Sequence, residues 1–210
     1  MRAAALREDI RDLILDAAER LVAHYGYRKM TMDDLAREVG IGKGTIYLHF
    51  SSKEEVVLSY IDRLVSRLKE RLREIASSKQ SPPERIRQML LARVLFRLDS
   101  VQNYRLSMDD LLGAIRPALF ARRERHFQEE AEIFAKVLKE GQAVGVFTLK
   151  KPLLTAHTLL LATNSLLPYG LSVREFGARR EIEEKTARIA DLLLHGLCSP
   201  PRALSKKRRQ

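Results

Sequence analysis

Apolar residues recur along most of the chain at intervals of three and four residues, which is the period of an amphipathic helix. The first such segment runs from about residue 6 to 24, with apolar positions at Leu6, Ile10, Leu13, Ile14, Ala17, Ala18, Leu21 and Val22. Similar spacing predicts later helices near 103–114, 117–140, 152–167 and 179–197, separated by Pro and Gly. No convincing strand pattern interrupts them. The pattern therefore predicts an all-α fold.

Turn and cap signals divide the first fifty-odd residues into shorter helices. Thr31 followed by Asp34 resembles a capping box, which opens a brief helix that ends at Gly40. Farther along, Ile46 and Phe50 are four residues apart and are expected to face inward together. Two short helices joined by a glycine-containing turn and held on a longer helix form a helix-turn-helix. The second helix of that motif can enter the major groove of DNA.

The distribution of charge supports an acidic partner. The chain has 38 Lys and Arg against 27 Asp and Glu, a net charge of +11, which favours partners such as nucleic acid. Residues 39–53, around the second short helix, contain Lys and His but no acidic side chain. A basic stretch, RALSKKRRQ, follows a Ser-Pro-Pro run at the C-terminus. We expect this tail to be disordered, and the alternative is a dedicated nucleic-acid arm.

Five hydrogen-bonding side chains lie close together in the sequence around the second short helix. Thr45 and Tyr47 carry hydroxyls, while Lys43, His49 and Lys53 carry nitrogen donors. Donors grouped around a helix N-terminus are typical of a surface that binds phosphate. Each residue alone has a more ordinary explanation, because a single Lys is usually solvated and a single Tyr usually packs at the rim of a core. Their combination predicts contact with DNA.

Residues 31–55, TMDDLAREVGIGKGTIYLHFSSKEE, closely resemble the signature of the TetR family of transcriptional regulators. The resemblance implies that Tyr47, His49 and Lys53 hold the DNA backbone. It also implies that Thr45 contacts backbone or base and that Lys43 reaches a base edge, such as guanine O6 or N7. With the close approach that Gly44 allows and a phosphate contact from the N-cap Thr31, the predicted DNA-binding residues are Thr31, Lys43, Gly44, Thr45, Tyr47, His49 and Lys53.

The chain is predicted to divide into three parts. Residues 1–55 form the N-terminal three-helix helix-turn-helix DNA-binding domain, and residues 56–198 form a C-terminal helical domain for ligand binding and dimerisation. Residues 199–210 are the basic tail. Within the second part, Ser81-Pro82-Pro83-Glu84 marks the clearest break and begins a helix that runs to about Leu98.

Two C-terminal segments are candidates for contact with a second copy. The segment 152–167 has no charged side chain, and an apolar face of that size is a liability on a monomer. The last helix is expected to present one apolar face, formed by Ile182, Ile189, Leu193 and Leu197. Together they predict a four-helix interface, and the family resemblance also implies a homodimer.

The central helices supply candidates for an effector cavity, because bulky apolar residues alternate there with a few polar ones. The candidate effector-binding residues are Phe96, Tyr104, Met108, Leu112, Arg116, Phe134 and Asn164. An aromatic or Met stripe at helical spacing is more often core than pocket. The apolar bias indicates a small hydrophobic or amphipathic molecule.

These features predict a cytoplasmic transcriptional regulator, more specifically a repressor. It binds double-stranded DNA at a palindromic operator as a homodimer and is released by a small-molecule effector. We expect no catalytic residue, no cofactor, no metal and no membrane association, since the uncharged stretch 152–173 contains too many polar groups for a lipid-facing helix. The main alternative is a non-specific DNA-organising protein, and a small-molecule enzyme is the weaker one.

Overall fold

The computed structural model describes the backbone of residues 2–100, 108–167 and 178–197, and the side chains of the same ranges without 2–8 and 108–112. The helices in these ranges are α1 (Arg2–Tyr25), α2 (Met32–Val39), α3 (Lys43–Tyr47), α4 (Lys53–Ala76), α5 (Pro82–Ser100), α6 (Met108–Ala143), α7 (Pro152–Thr163) and α8 (Arg179–Leu197). No strand occurs in these ranges, and the all-α prediction is confirmed. None of the helices described is long and apolar enough to cross a bilayer.

Helices α1 to α3 pack with the first half of α4 and with Ile115 of α6 around one hydrophobic core, which we call the head core. Leu35, Ile46 and Phe50 are buried in it, as the spacing of Ile46 and Phe50 predicts. The capping box at the start of α2 is confirmed, because Thr31 Oγ1 accepts a hydrogen bond from the Asp34 amide at 3.1 Å and Asp34 accepts one from the Thr31 amide at 3.0 Å. These bonds satisfy amide groups that a helix start leaves without partners.

The second half of α4 packs with α5, the C-terminal half of α6, α7 and α8 around a second core. Its buried residues include Leu68 and Leu72 from α4, Leu90 from α5, Phe134 from α6 and Leu160 from α7. Helices α4 and α6 therefore contribute to both cores. The predicted boundary between 55 and 56 lies near the start of this helix, and the domain division stays a prediction.

The prediction of separate helices over 103–114 and 117–140 is wrong, because α6 continues through Pro117. Proline interrupts a helix by removing the hydrogen bond to the carbonyl four residues earlier, here that of Gly113. Both Gly113 and Pro117 lie on an exposed side of α6, where water can satisfy that carbonyl. Residues 101–107 of the predicted segment lie outside the described residues.

The apolar face predicted for the last helix is partly covered by its own chain, and its contact with a second copy stays a prediction. Ile182 is buried within its own chain, and Leu193 and Leu197 pack partly buried against the second core. Ile189 packs partly buried against a smaller cluster that contains Leu98 and Leu167. The period of a helix identifies an apolar face but does not say which neighbour covers that face. The large apolar residue that α8 exposes is Leu192.

A row of ionic and hydrogen-bonded contacts joins α4 to α6, and we call it the α4–α6 polar interface. Its members are Glu55, Asp62 and Lys69 on α4 and Arg122, His126 and Glu129 on α6. Arg122 donates to both Asp62 (2.5 Å) and Glu55 (2.6 Å), while His126 Nε2 lies 2.7 Å from Asp62 Oδ1. Burial alone would raise the pKa of Asp62, but the bond to His126 and the Arg122 charge outweigh burial and lower it.

A second polar cluster is enclosed by the C-terminal helices. Arg93 of α5 and Glu130 of α6 are each 1% exposed, and Arg93 Nε donates to Glu130 at 2.7 Å. Arg97 donates to the other carboxylate oxygen of Glu130. Burial alone would raise the pKa of Glu130, but the Arg97 and Arg93 charges and hydrogen bonds outweigh it and lower that pKa. Glu130 is therefore held as a carboxylate.

Glu130→Gln should lower the free energy of unfolding by about 3 kcal/mol, because it leaves a buried guanidinium without its counter-charge. The control Glu132→Gln changes an exposed residue on the same helix and should have an effect below about 0.5 kcal/mol. Chemical denaturation monitored by circular dichroism measures both. Since the pKa of Glu130 is lowered in the folded chain, the difference between wild type and Glu130→Gln should shrink as pH falls below about 4. Equal effects of the two substitutions at neutral pH would contradict this account.

Candidate nucleic-acid interface

The second helix of the motif, α3, is anchored from one side only. Ile46 is fully buried and Phe50 almost so, which fixes the inner side of the segment 43–50. Because a helix turns about 100° per residue, the remaining side chains must point away from the head core. Lys43 and Gly44 are exposed, and Tyr47 and Leu48 expose 50% and 83% of their surface. The fold thus presents one face of α3 to an incoming partner.

A left-handed glycine sets the angle between α2 and α3. Gly40 has φ of +76°, and its amide donates back to the carbonyls of Ala36 and Arg37 at the end of α2. Residues other than glycine rarely adopt this backbone conformation, so the turn depends on Gly40. Ala36 is buried in the head core, where a small residue lets the two helices approach.

Lys43 stands at the first position of α3 and is held by α2. Its Nζ donates to Asp33 Oδ2 at 2.8 Å, and this bond raises the pKa of Lys43. Both side chains are about half exposed, so water can replace this bond at little cost. The ammonium is therefore oriented near the outer face of the motif and is available to a partner that offers a better acceptor.

Lys53, at the start of α4, makes internal contacts. Its Nζ donates to the carbonyls of Tyr27 (3.1 Å) and Arg28 (3.4 Å) and lies 4.4 Å from the centre of the Tyr27 ring. Burial lowers the pKa of Lys53. These contacts tie the connection between α1 and α2 to α4. A phosphate contact by Lys53 stays a prediction, and the structure adds a positioning role for the same side chain.

The other predicted DNA-binding residues differ in their exposure to solvent. Around Gly44, a Cβ atom would meet nothing within 4 Å, so a partner can approach the backbone closely. Thr45 and His49 are half-buried beside the exposed Tyr47. Thr31 uses its hydroxyl within the capping box, where it donates to Asp34 at 2.7 Å as well as accepting from it. The structure brings the residues of α3 to one surface, whereas Thr31 serves chiefly to start α2.

Sequence reasoning missed two residues of this surface. Leu48 is the most exposed of the large apolar residues described, and Asp33 pairs with Lys43. The burial of Ile46 and Phe50 was the available signal for Leu48, since a residue midway between two inward positions must point outward. The Asp33 contact joins residues ten apart on different helices, and no local spacing rule identifies it.

The structure brings together only some of the candidate effector residues. Phe96, Phe134 and Asn164 lie in the C-terminal bundle near the Arg93–Glu130 pair, although Phe134 is fully buried as core. Arg116 is 18 residues before Phe134 on the same helix, about 27 Å away, and its guanidinium lies over the exposed Phe120 ring. Arg116 is therefore not close to the other three. The side chains of Tyr104, Met108 and Leu112 lie outside the described residues.

Comparisons with known proteins agree with this geometry. A family model described as "Bacterial regulatory proteins, tetR family" matches residues 14–60, which span the helix-turn-helix and the start of α4. The "Fatty acid metabolism regulator protein" of Bacillus subtilis is 32% identical over 73 residues, covering 35% of this chain and 38% of the relative. The "HTH-type transcriptional repressor KstR2" of Mycobacterium tuberculosis is 26% identical over 138 residues, covering 64% of this chain and 67% of the relative.

The similarity in structure extends farther along the chain. The crystal structure of a transcriptional regulator of the TetR/AcrR family from Thermobifida fusca matches with a TM-score of 0.70 and 28% identity, covering 90% of this chain and 98% of the other. By sequence, in contrast, the chain spans less than half the length of the first three curated relatives that it matches. The family model thus matches the head, while the similarity in fold covers nine tenths of the chain.

Lys43→Ala should relax the preference for one base pair by about 1 to 3 kcal/mol, because a lysine at the start of α3 can donate to guanine O6 and N7. Competition binding against single-base variants of a DNA site selected from a random pool measures this, at one fixed salt concentration. The control Lys139→Ala removes the same charge from an exposed position on α6, distant from the motif, and should leave the base preference unchanged. Equal losses on selected and random DNA would contradict the base-reading role of Lys43.

Proposed function

We propose that this chain, which belongs to the tetR family of bacterial regulatory proteins, represses transcription by binding a palindromic operator as a homodimer. It dissociates from the operator when a small hydrophobic or amphipathic effector binds. The observation that carries the proposal is the exposed face of α3 within the segment that the family model matches. A DNA-binding protein of a bacterial family works in the cytoplasm, and we place this one there. The named relatives are transcriptional regulators, in line with a protein that binds and does not catalyse.

Residues 1–55 are the DNA-binding part in this proposal. Tyr47, His49 and Lys53 hold the backbone, Thr45 contacts backbone or base, and Lys43 reads a base edge. Gly44 lets the helix lie close to the groove. Thr31 positions α2, and its hydroxyl would donate to a phosphate in place of Asp34.

Exposed leucines on two neighbouring helices support a dimer. Leu154 and Leu161 are seven residues apart on α7, so they lie on one face, and Leu161 is 60% exposed. Leu192 on α8 is 76% exposed. A two-fold axis through this surface would bury these side chains against their copies. It would also place two α3 helices on half-sites about one helical turn apart, which is why the operator should be palindromic.

The effector belongs to residues 56–198 in this proposal. The Bacillus subtilis relative is named as a regulator of fatty acid metabolism, which is consistent with an effector that carries an apolar chain. Such a molecule would bind among the helices around Phe96 and Asn164. It would favour a dimer in which the distance between the two α3 helices no longer matches the distance between the operator half-sites. The bundle and the head share α4, so a shift in one reaches the other.

Selection of bound sequences from a random DNA pool tests the proposal, at an ionic strength of about 0.15 M. Recovery of one palindromic site is the expected result. An unenriched pool, with tight binding to all sequences, would favour a non-specific DNA-organising protein instead. In that case the tail 199–210 would be the natural source of affinity, and its deletion would abolish binding.

Leu161→Arg should weaken the dimer at least about tenfold, because it places a charge in the apolar contact. Sedimentation equilibrium measures the dissociation constant. The control Val144→Arg places the same charge at an exposed apolar residue after α6 and should leave the dimer unchanged. A wild-type dissociation constant in Leu161→Arg would show that the dimer uses another surface.

A further inference from the structure

Arg93 and Arg97 lie one turn apart on α5 and both contact Glu130, but they differ in the hydrogen bonds that their guanidinium groups make. Arg93 donates to Glu130, to the carbonyl of Leu160, to Thr163 Oγ1 and to Asn164 Oδ1, at 2.7 to 3.3 Å. These bonds join α5 to α6 and to the end of α7. Arg93 thus has a structural task that occupies most of its five donors.

Arg97 has a hydrogen-bond donor without an acceptor among the described residues. Its side chain is 20% exposed, against 1% for Arg93, and Glu130 is the carboxylate that it shares with Arg93. Its Nε is buried and has no acceptor among the described residues. A buried donor without an acceptor costs free energy, and one carboxylate facing two guanidinium groups favours the arrival of a second anion.

Two aromatic side chains lie on the helices that carry Arg97 and Glu130. Phe96 is its neighbour on α5 and packs partly buried against the second core. On α6, Phe127 lies three residues before Glu130, on the same side of the helix, and stacks on His157 of α7 with ring centres 5.5 Å apart. A molecule bound at Arg97 could pack its apolar part against these two rings.

We propose that Arg97 binds the carboxylate of an amphipathic carboxylic acid whose chain lies against Phe96 and Phe127. The inference rests on the proposed effector domain and names the chemistry of the molecule that enters it. A guanidinium recognises a carboxylate by charge-assisted hydrogen bonds, and Arg97 has an unused donor and an unbalanced share of charge. Arg93 holds α5, α6 and α7 together, while Arg97 binds the carboxylate of the ligand.

Calorimetric titration with dodecanoate and with dodecan-1-ol tests this, below the concentrations at which either forms micelles. The two probes share a chain and differ in charge. Wild type should bind dodecanoate at least about tenfold more tightly than the alcohol, as expected for a hydrogen bond to a charged group. Arg97→Gln should bind the two probes equally, while Arg97→Lys, which keeps the charge, should retain part of the preference.

Arg87→Gln is the matched control, because Arg87 lies on the same helix and pairs instead with Asp191 of α8 at 2.8 Å. It should behave as wild type. Arg97→Gln leaves Glu130 paired with Arg93, and a wild-type circular dichroism spectrum would verify its fold. A wild type without preference, a wild type that binds no dodecanoate, or an Arg97→Gln protein that keeps the preference would each overturn the assignment.

The titrations contain no DNA, so their failure is separable from failure of the proposed regulator. Operator binding is measured independently, with and without dodecanoate. Tight dodecanoate binding through Arg97 with unchanged operator affinity would uphold the carboxylate site and refute release by the effector. Release by a neutral molecule, unaffected by Arg97→Gln, would uphold the regulator and refute the carboxylate site.

Discussion

Helix α4 is buried in two hydrophobic cores at once, and the position of the candidate DNA-binding surface on α3 depends on it. Val56, Val57 and Leu58 close the head core, and Leu68 and Leu72 begin the second core about three to four turns later. Interiors this closely packed transmit displacements because they have few voids to absorb them. The head therefore has little freedom to move independently of the bundle behind it.

The adjacent residues Glu129 and Glu130 of α6 connect the two polar clusters. Glu129 pairs with Lys69 on α4, and Glu130 pairs with Arg93 and Arg97 on α5. Arg122, two turns earlier, bonds to α4 near the head. A carboxylate arriving at Arg97 would compete for the partners of Glu130, and the same helix would carry any resulting shift to α4.

The sequence was sufficient for the features that local rules govern. The capping box at Thr31, the left-handed turn at Gly40 and the inward pair Ile46 and Phe50 all follow from spacing, and the structure contains each of them. The features that the local pattern did not determine depend on tertiary packing. Pro117 looked like a helix end, but it lies where water can replace the lost hydrogen bond. The last helix has the predicted apolar face, and its own chain covers that face in part, which the period alone does not reveal.

Differential scanning calorimetry of the full chain tests most directly whether α4 makes the head and the bundle one unit. A shared core predicts a single transition, with a calorimetric enthalpy equal to the van't Hoff enthalpy once dimer dissociation is included. Two transitions, with the head melting while the bundle stays folded, would contradict the account. The bundle could then bind an effector without repositioning α3.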